Sequence, residues 1–280
     1  MTPIHDQSYR RYAGVRQEPG SAWLTIATTG IRTILGKKLF LLVLLAAWGQ
    51  FFVRAVTFYL SANFPNLEIL APSVETFRQF FEIQEIFVLF VTVYVGSGLV
   101  ANDRRSNAIQ IYLSKPLSRV EYVVGKLGTL VFFLLLVTLA PALALLLLEI
   151  MFSASVAFVG ANLFLIPAIT LYALVEVLLS AFTMLALSSL ATSARYTAML
   201  YAGVVLFTAA LFSILFGITN SSALAWLSFR ANLDQIGDVI FRLPPRYDSS
   251  WFLSVVVVAF LIGLSVFVLE RRVRGVEVVT

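Results

Sequence analysis

Long apolar runs separated by short polar intervals dominate this chain. A transmembrane helix needs about 20 mostly apolar residues. Six stretches meet that requirement, at about Leu39–Leu60, Phe81–Val100, Tyr122–Met151, Asn162–Leu190, Tyr196–Ile218 and Trp251–Leu269. Gly96-Ser97-Gly98 thins the end of the second, and Pro141 interrupts the third. Residues 1–20 form a polar tail with Arg10, Arg11 and Arg16 but no apolar core close behind, so a cleavable leader is not expected. From Ser21 to Lys38, Trp23, Leu24, Ile26, Ile31, Ile34 and Leu35 alternate with small polar residues, while Arg32, Lys37 and Lys38 mark a polar side. That pattern predicts either an amphipathic helix lying in the headgroup layer or a cytoplasmic extension of the first span. Residues 270–280 make a second polar tail, with Arg271, Arg272 and Arg274.

Three polar intervals carry further information. Ala101–Lys126 is the longest bounded by apolar runs on both sides, and it places Ile109, Ile111, Tyr112 and Leu113 among Arg104, Arg105, Lys115, Arg119 and Lys126. A tethering loop needs no such ordered apolar content, so a short amphipathic helix lying against a cytoplasmic surface is expected. Pro116 ends it. Ser118, with Glu121 three residues on, matches a capping box opening the next helix. Ser61–Phe80, with Pro65 and Pro72, is expected to be an outer loop. Thr219–Ser250 interleaves Leu227, Phe229, Leu233 and Ile236 with Arg230, Asp234, Asp238 and Arg242 up to Pro244-Pro245. It fits amphipathic helices dipping into the outer leaflet, or an interfacial external loop.

Composition sharpens the class. With 60% hydrophobic and 12% charged residues, the 280-residue chain is a polytopic membrane protein. Its net charge of +5 comes from basic residues flanking apolar runs, which indicates membrane orientation rather than nucleic acid. With the N-terminus inside, all but Arg54, Arg78, Arg230, Arg242 and Arg246 of the 20 basic residues fall on the cytoplasmic side, predicting that both termini are cytoplasmic. The absence of cysteine excludes disulfides, thiolate metal sites and Cys nucleophiles. His5, the one histidine, lies in the polar tail and supports neither a metal site nor a triad. Gly36-Lys37 and Gly125-Lys126 lack the rest of a phosphate-cradling G-x-x-x-x-G-K-[ST] loop. No catalytic, cofactor-binding or metal-binding residue is therefore expected in this polypeptide.

Ionisable residues inside spans are costly and are candidate sites. Glu176 lies midway along the fourth span, either as a proton or headgroup site or as a structural glutamate between helices. Arg54 and Glu149 approach the outer ends of their spans, as a mutual structural pair or as a site. Glu82 and Glu85 begin the second span, as an acidic vestibule or a solvated loop end.

The run Leu113-Ser114-Lys115-Pro116-Leu117-Ser118-Arg119, then Tyr122 and Gly125-Lys126, resembles the permeases of type-2 ABC exporters. Gly98 and the acidic-basic cluster Asp103–Ser106 precede it as in that family, and the six-span layout is similar throughout. The resemblance implies an all-α membrane protein of six transmembrane helices. It also implies an N-terminal amphipathic connecting helix (21–38), a cytoplasmic coupling helix at Arg104–Leu113, and re-entrant or interfacial helices before the last span. Such permeases work as dimers, with a second copy or a paralogue, on a separate ABC ATPase subunit that binds ATP and Mg²⁺. Arg104, Arg105, Ile109, Tyr112 and Leu113 would contact that ATPase. The second and fifth spans would face each other across the dimer axis, with Tyr94, Gly96, Gly98, Tyr201, Gly203 and Phe207 as pathway candidates. The expected location is a bacterial or archaeal cytoplasmic membrane. Three alternatives stand beside export: a proton-coupled secondary transporter using Glu176, a membrane-embedded enzyme, and an ABC-type assembly subunit that drives a periplasmic partner.

Overall fold

The computed structural model describes residues 22–64, 72–108, 117–152, 160 and 163–273. All regular structure among them is helical, as a hydrocarbon environment without water to satisfy backbone groups demands. In chain order come α1 (Ala22–Leu35), α2 (Lys38–Asn63), α3 (Val74–Val91), a π-helical turn (Thr92–Gly96) and the short α4 (Ala101–Arg105). They are followed by α5 (Arg119–Val137), α6 (Leu139–Phe152), α7 (Leu165–Leu190) and α8 (Ala194–Thr219). A 3-10 turn (Ser222–Leu227), α9 (Phe229–Ile240) and α10 (Trp251–Arg272) complete the order. Six units are long and apolar enough to cross a membrane, α3–α4 and α5–α6 each counting as one. The six-span, all-α expectation holds.

The bundle is built around α7, which packs against α5, α8, α9 and α10, with one face exposed at Ile166, Leu171 and Leu174 and few exposed positions from Glu176 to Ser189. By contrast, α2 buries only Phe40, Ala47 and Phe58, and α8 only Thr197 and Tyr201. Helix α1 is distinct from the first span. The chain is extended at Lys37 (φ −92°, ψ 111°), and α1 lies along α5. The two are therefore separate helices rather than one continuous one. The close approach rests on glycine: a Cβ on Gly125 would lie 2.7 Å from Ile26 Cβ and 2.8 Å from the Trp23 carbonyl oxygen.

Two breaks in the spans are repaired by side chains from neighbours. Pro141 has no N–H to give the Val137 carbonyl one turn back. Buried Gln84 of α3 supplies the donor, its Nε2 lying 2.6 Å from Val137 O and 3.0 Å from Ala47 O. One amide thus ties the first three spans. After the π-helical turn the second span unwinds, and the Ser188 hydroxyl of α7 takes up the loose backbone. It accepts from Val100 N (3.2 Å) and Ala101 N (3.0 Å) and donates to Ser97 O (2.9 Å).

The second span begins earlier than its hydropathy indicates. Residues 74–80, expected as loop, are helical. Ser73 and Thr76 form a reciprocal cap, and Arg78, one of the polar residues that disguised the helix, is a buried partner of α9. That later segment is packed into the bundle against α3, α7, α8 and α10, which argues against a loosely lying external loop. Ser228 caps it, accepting from Ala231 N at 3.2 Å, and left-handed Arg242 (φ 58°) stops it.

Candidate functional site

Where the second span meets the third, the residues of the sequence motif converge. Asp103 of α4 accepts from the Tyr122 hydroxyl (2.8 Å) and pairs with Lys126 Nζ (2.7 Å), both from α5. Lys126 and Tyr122 are one turn apart, so they reach the same carboxylate from one face of α5. Ser118 forms the expected capping box: its hydroxyl accepts from Glu121 N (3.1 Å), and Glu121 Oε2 accepts from Ser118 N (2.9 Å). Both ends of the 106–118 connection are therefore fixed.

The connection differs in detail from the expected helix. Helix α4 ends at Arg105, and Asn107 is left-handed (φ 54°), so no single helix runs through Arg104–Leu113. Arg104 turns inward and donates to the Ser189 carbonyl at the end of α7, whereas Arg105 is exposed. Ile109, Tyr112 and Leu113 lie outside the described residues.

The pathway candidates separate into four places. Tyr94 stacks on Phe40 (centroids 5.4 Å apart) beneath Lys37. With Gly98 it lines a cleft of about 600 Å³ between α1, the second span and α5, to which Thr25, Thr29 and Lys126 also contribute. Gly96 is a packing glycine; a Cβ there would collide with Met184. Tyr201 is buried and lines a second cavity of about 240 Å³ with Glu85, Glu176, Ser180 and Arg230. Gly203 and Phe207 lie on the open side of α8. The six residues thus do not line one passage within a single chain.

The charges inside the spans are also distributed. Arg54 donates to Gln79 Oε1 at 3.4 Å, and Glu149 is buried on α6. Glu176 is fully buried. Glu85 pairs with Arg230 of α9 at 2.5 Å. Arg78, read from sequence as an outer-loop residue, is buried. Its Nη2 contacts Asp234 Oδ1 at 2.8 Å, and its Nε contacts Asp238 Oδ1 at 3.1 Å. Arg246 completes the cluster, with Asp238 at 2.7 Å and Glu82 at 2.5 Å. Burial opposes the charge on Arg246, but hydrogen bonds to Asp238 and Glu82 outweigh it and hold the guanidinium above its ordinary range. Burial, reinforced by the Asp234 carboxylate, pushes the Tyr247 phenol up to about 12. The approach of α9 again needs glycine, since a Cβ on Gly237 would lie 2.7 Å from Arg78 Nε and from Tyr172 Cε2.

Gln84, Ser188 and Arg78 are the structural residues that sequence reading missed. The polar character of 74–80 and the charged face of α9 were visible separately; their pairing was not.

A family model described as ABC-2 family transporter protein matches residues 25–248. No curated protein matches the chain.

Proposed function

The chain belongs to the ABC-2 family of transporter proteins, and from that premise we propose that it is the permease of an ATP-driven exporter powered by a separate ABC ATPase. As a member of that family it is a permease subunit, an integral membrane component of an ABC transporter that implies an ABC ATPase partner. In the proposed assembly the permease is non-catalytic, and the ATPase holds ATP and Mg²⁺. A second permease copy or a paralogue completes a dimer in a bacterial or archaeal cytoplasmic membrane, with both termini cytoplasmic.

The observation that carries the coupling reading is the Asp103–Tyr122–Lys126 junction. A force applied to the 106–118 connection reaches α4 and α5 through a charge-assisted contact rather than through a slack loop. Arg105, with Ile109, Tyr112 and Leu113, is the proposed ATPase-facing set. Arg104 is better suited to hold α4 against α7.

Co-expression with the candidate ATPase, followed by purification and ATPase assay in lipid, tests the reading. Arg105→Glu should weaken association or uncouple hydrolysis while the permease still folds. Failure of the wild-type chain to associate with an ABC ATPase would refute it. The same connection would serve an assembly subunit that works on a periplasmic partner. Retained ATP coupling without movement of any solute would favour that second reading.

A further inference from the structure

The cleft of about 600 Å³ between α1, the second span and α5 has a polar wall that the junction at Asp103 does not use up. Thr25 and Thr29 line it from α1, Asn102 from α4 and Lys37 from the joint between α1 and α2. All four are exposed, so hydroxyl, amide and ammonium groups are open to an occupant. The charges in the cleft are unequally met. Asp103 holds Lys126 Nζ at 2.7 Å and also accepts from the Tyr122 hydroxyl at 2.8 Å. Among the described residues Lys37 has no carboxylate partner; its ammonium lies over the Tyr94 ring, 5.7 Å from the centroid. Lys37 and Lys126 against Asp103 leave the lining with one positive charge in excess.

We infer that this cleft holds the head of an anionic glycerophospholipid, with its phosphodiester at Lys37 and a hydroxyl-bearing head group towards Thr29 and Asn102. Basic pockets between membrane spans are suited to anionic head groups. A phosphodiester carries one negative charge, which matches the one ammonium left without a carboxylate. A choline or ethanolamine head would bring a further cation to Lys37 and Lys126, with only the committed Asp103 to meet it. The volume lies within the roughly 300–1,000 Å³ of ligand pockets. A lipid fits better than a soluble phosphodiester because Lys37 directly precedes the first span. There Leu39, Leu42 and Leu45 are 63%, 64% and 71% exposed, an apolar stripe down which acyl chains can descend. Tyr94, beneath Lys37, suits the level where aromatic rings meet head groups. A lipid so seated would bridge α1 to the second span beside the Asp103–Lys126 pair. The site rests on the membrane-spanning character of the chain and not on the exporter reading.

Native mass spectrometry of the full-length chain in detergent, titrated with phosphatidylglycerol or with phosphatidylcholine of the same chains, tests the site. The first phosphatidylglycerol should bind at least about tenfold more tightly than the first phosphatidylcholine, the scale of one charge-assisted hydrogen bond. Lys37→Gln should remove most of that preference. Thr29→Trp, which fills the cleft without removing a charge, should do the same. Lys38→Gln removes the adjacent exposed lysine, which does not line the cleft, and should leave the preference unchanged. Equal affinity of the two lipids for the unaltered chain would overturn the site, as would a preference kept in Lys37→Gln or in a folded Thr29→Trp. A preference lost equally in Lys38→Gln would also overturn it, reducing the effect to surface charge. Displacement of the lipid by an equal concentration of glycerophosphoglycerol, its chainless head, would overturn the lipid assignment in favour of a soluble phosphodiester. A chain that couples to its ATPase without the lipid preference would lose this inference alone. One that shows the preference without associating with an ATPase would lose the exporter reading alone.

Discussion

Replacing Arg78 by Met should free α9 from the bundle without unfolding the spans. Arg78 is 1% exposed and is the main cation for Asp234, which otherwise has Arg246 no nearer than 4.0 Å. Asp238 is better protected, because Arg246 also holds it at 2.7 Å. Removing one partner of a buried pair costs about 3–5 kcal/mol. The surviving Arg246 contacts put this case near the lower end, at about 3 kcal/mol, or roughly two decades in an opening equilibrium. Hydrogen exchange of the full chain in nanodiscs reads that equilibrium locally. Amides of Phe229–Ile240 should exchange about a hundredfold faster, with those of α7 little changed. Adding Asp234→Asn to Arg78→Met should recover most of the protection, because the stranded charge is then gone. A change below about threefold in the single variant, or no recovery in the double variant, would refute the electrostatic account of how α9 is held.

Three further perturbations test other parts of the structure. The chain has no native cysteine, and a Cβ on Gly128 would lie 3.6 Å from Ala27 Cβ, within disulfide range. Ala27→Cys/Gly128→Cys should therefore cross-link on oxidation, and adding Gly125→Val should abolish the cross-link by lifting α1 off α5. Ser188→Ala strands two backbone N–H groups and one carbonyl at the unwound part of the second span. The expected destabilisation is on the order of 2–4 kcal/mol, read as a lowered thermal midpoint in detergent. Tyr247 has a folded pKa of about 12, above its unfolded value of about 10. Its contribution is thus complete below about pH 10 and is lost as pH rises towards the folded value; Tyr247→Phe should flatten the alkaline fall in thermal midpoint.

The number of spans was legible because hydropathy is a property of neighbouring residues, and it survives any arrangement of the helices. The Ser118–Glu121 cap was legible for the same reason. The start of the second span was not. Arg78 and the polar residues around it read as loop, because the carboxylate that buries Arg78 lies 160 residues away. Pro141 announced a break, but nothing local identified Gln84 as the amide that repairs it. Tyr122, Gly125 and Lys126 stood out through resemblance alone. Their physical reasons are a carboxylate on α4 and the backbone of α1, and both require the folded arrangement. Glu176 was visible as a charge out of place, whereas the cavity it faces is assembled from four separate elements.

The π-helical turn at Thr92–Gly96 also bears on how such a chain diversifies. A turn of this kind holds one residue more than its α-helical equivalent, which offsets the facing of the residues beyond it by about 100°. The part of the second span before the turn therefore keeps one angular register, packed on α2, α5 and α9, and the part from the turn onward keeps another, packed chiefly on α7 and α8. Substitutions before the turn can accumulate without rotating Asp103 away from the motif residues it meets. A lineage can revise one part of the membrane domain while inheriting the Asp103–Tyr122–Lys126 junction intact.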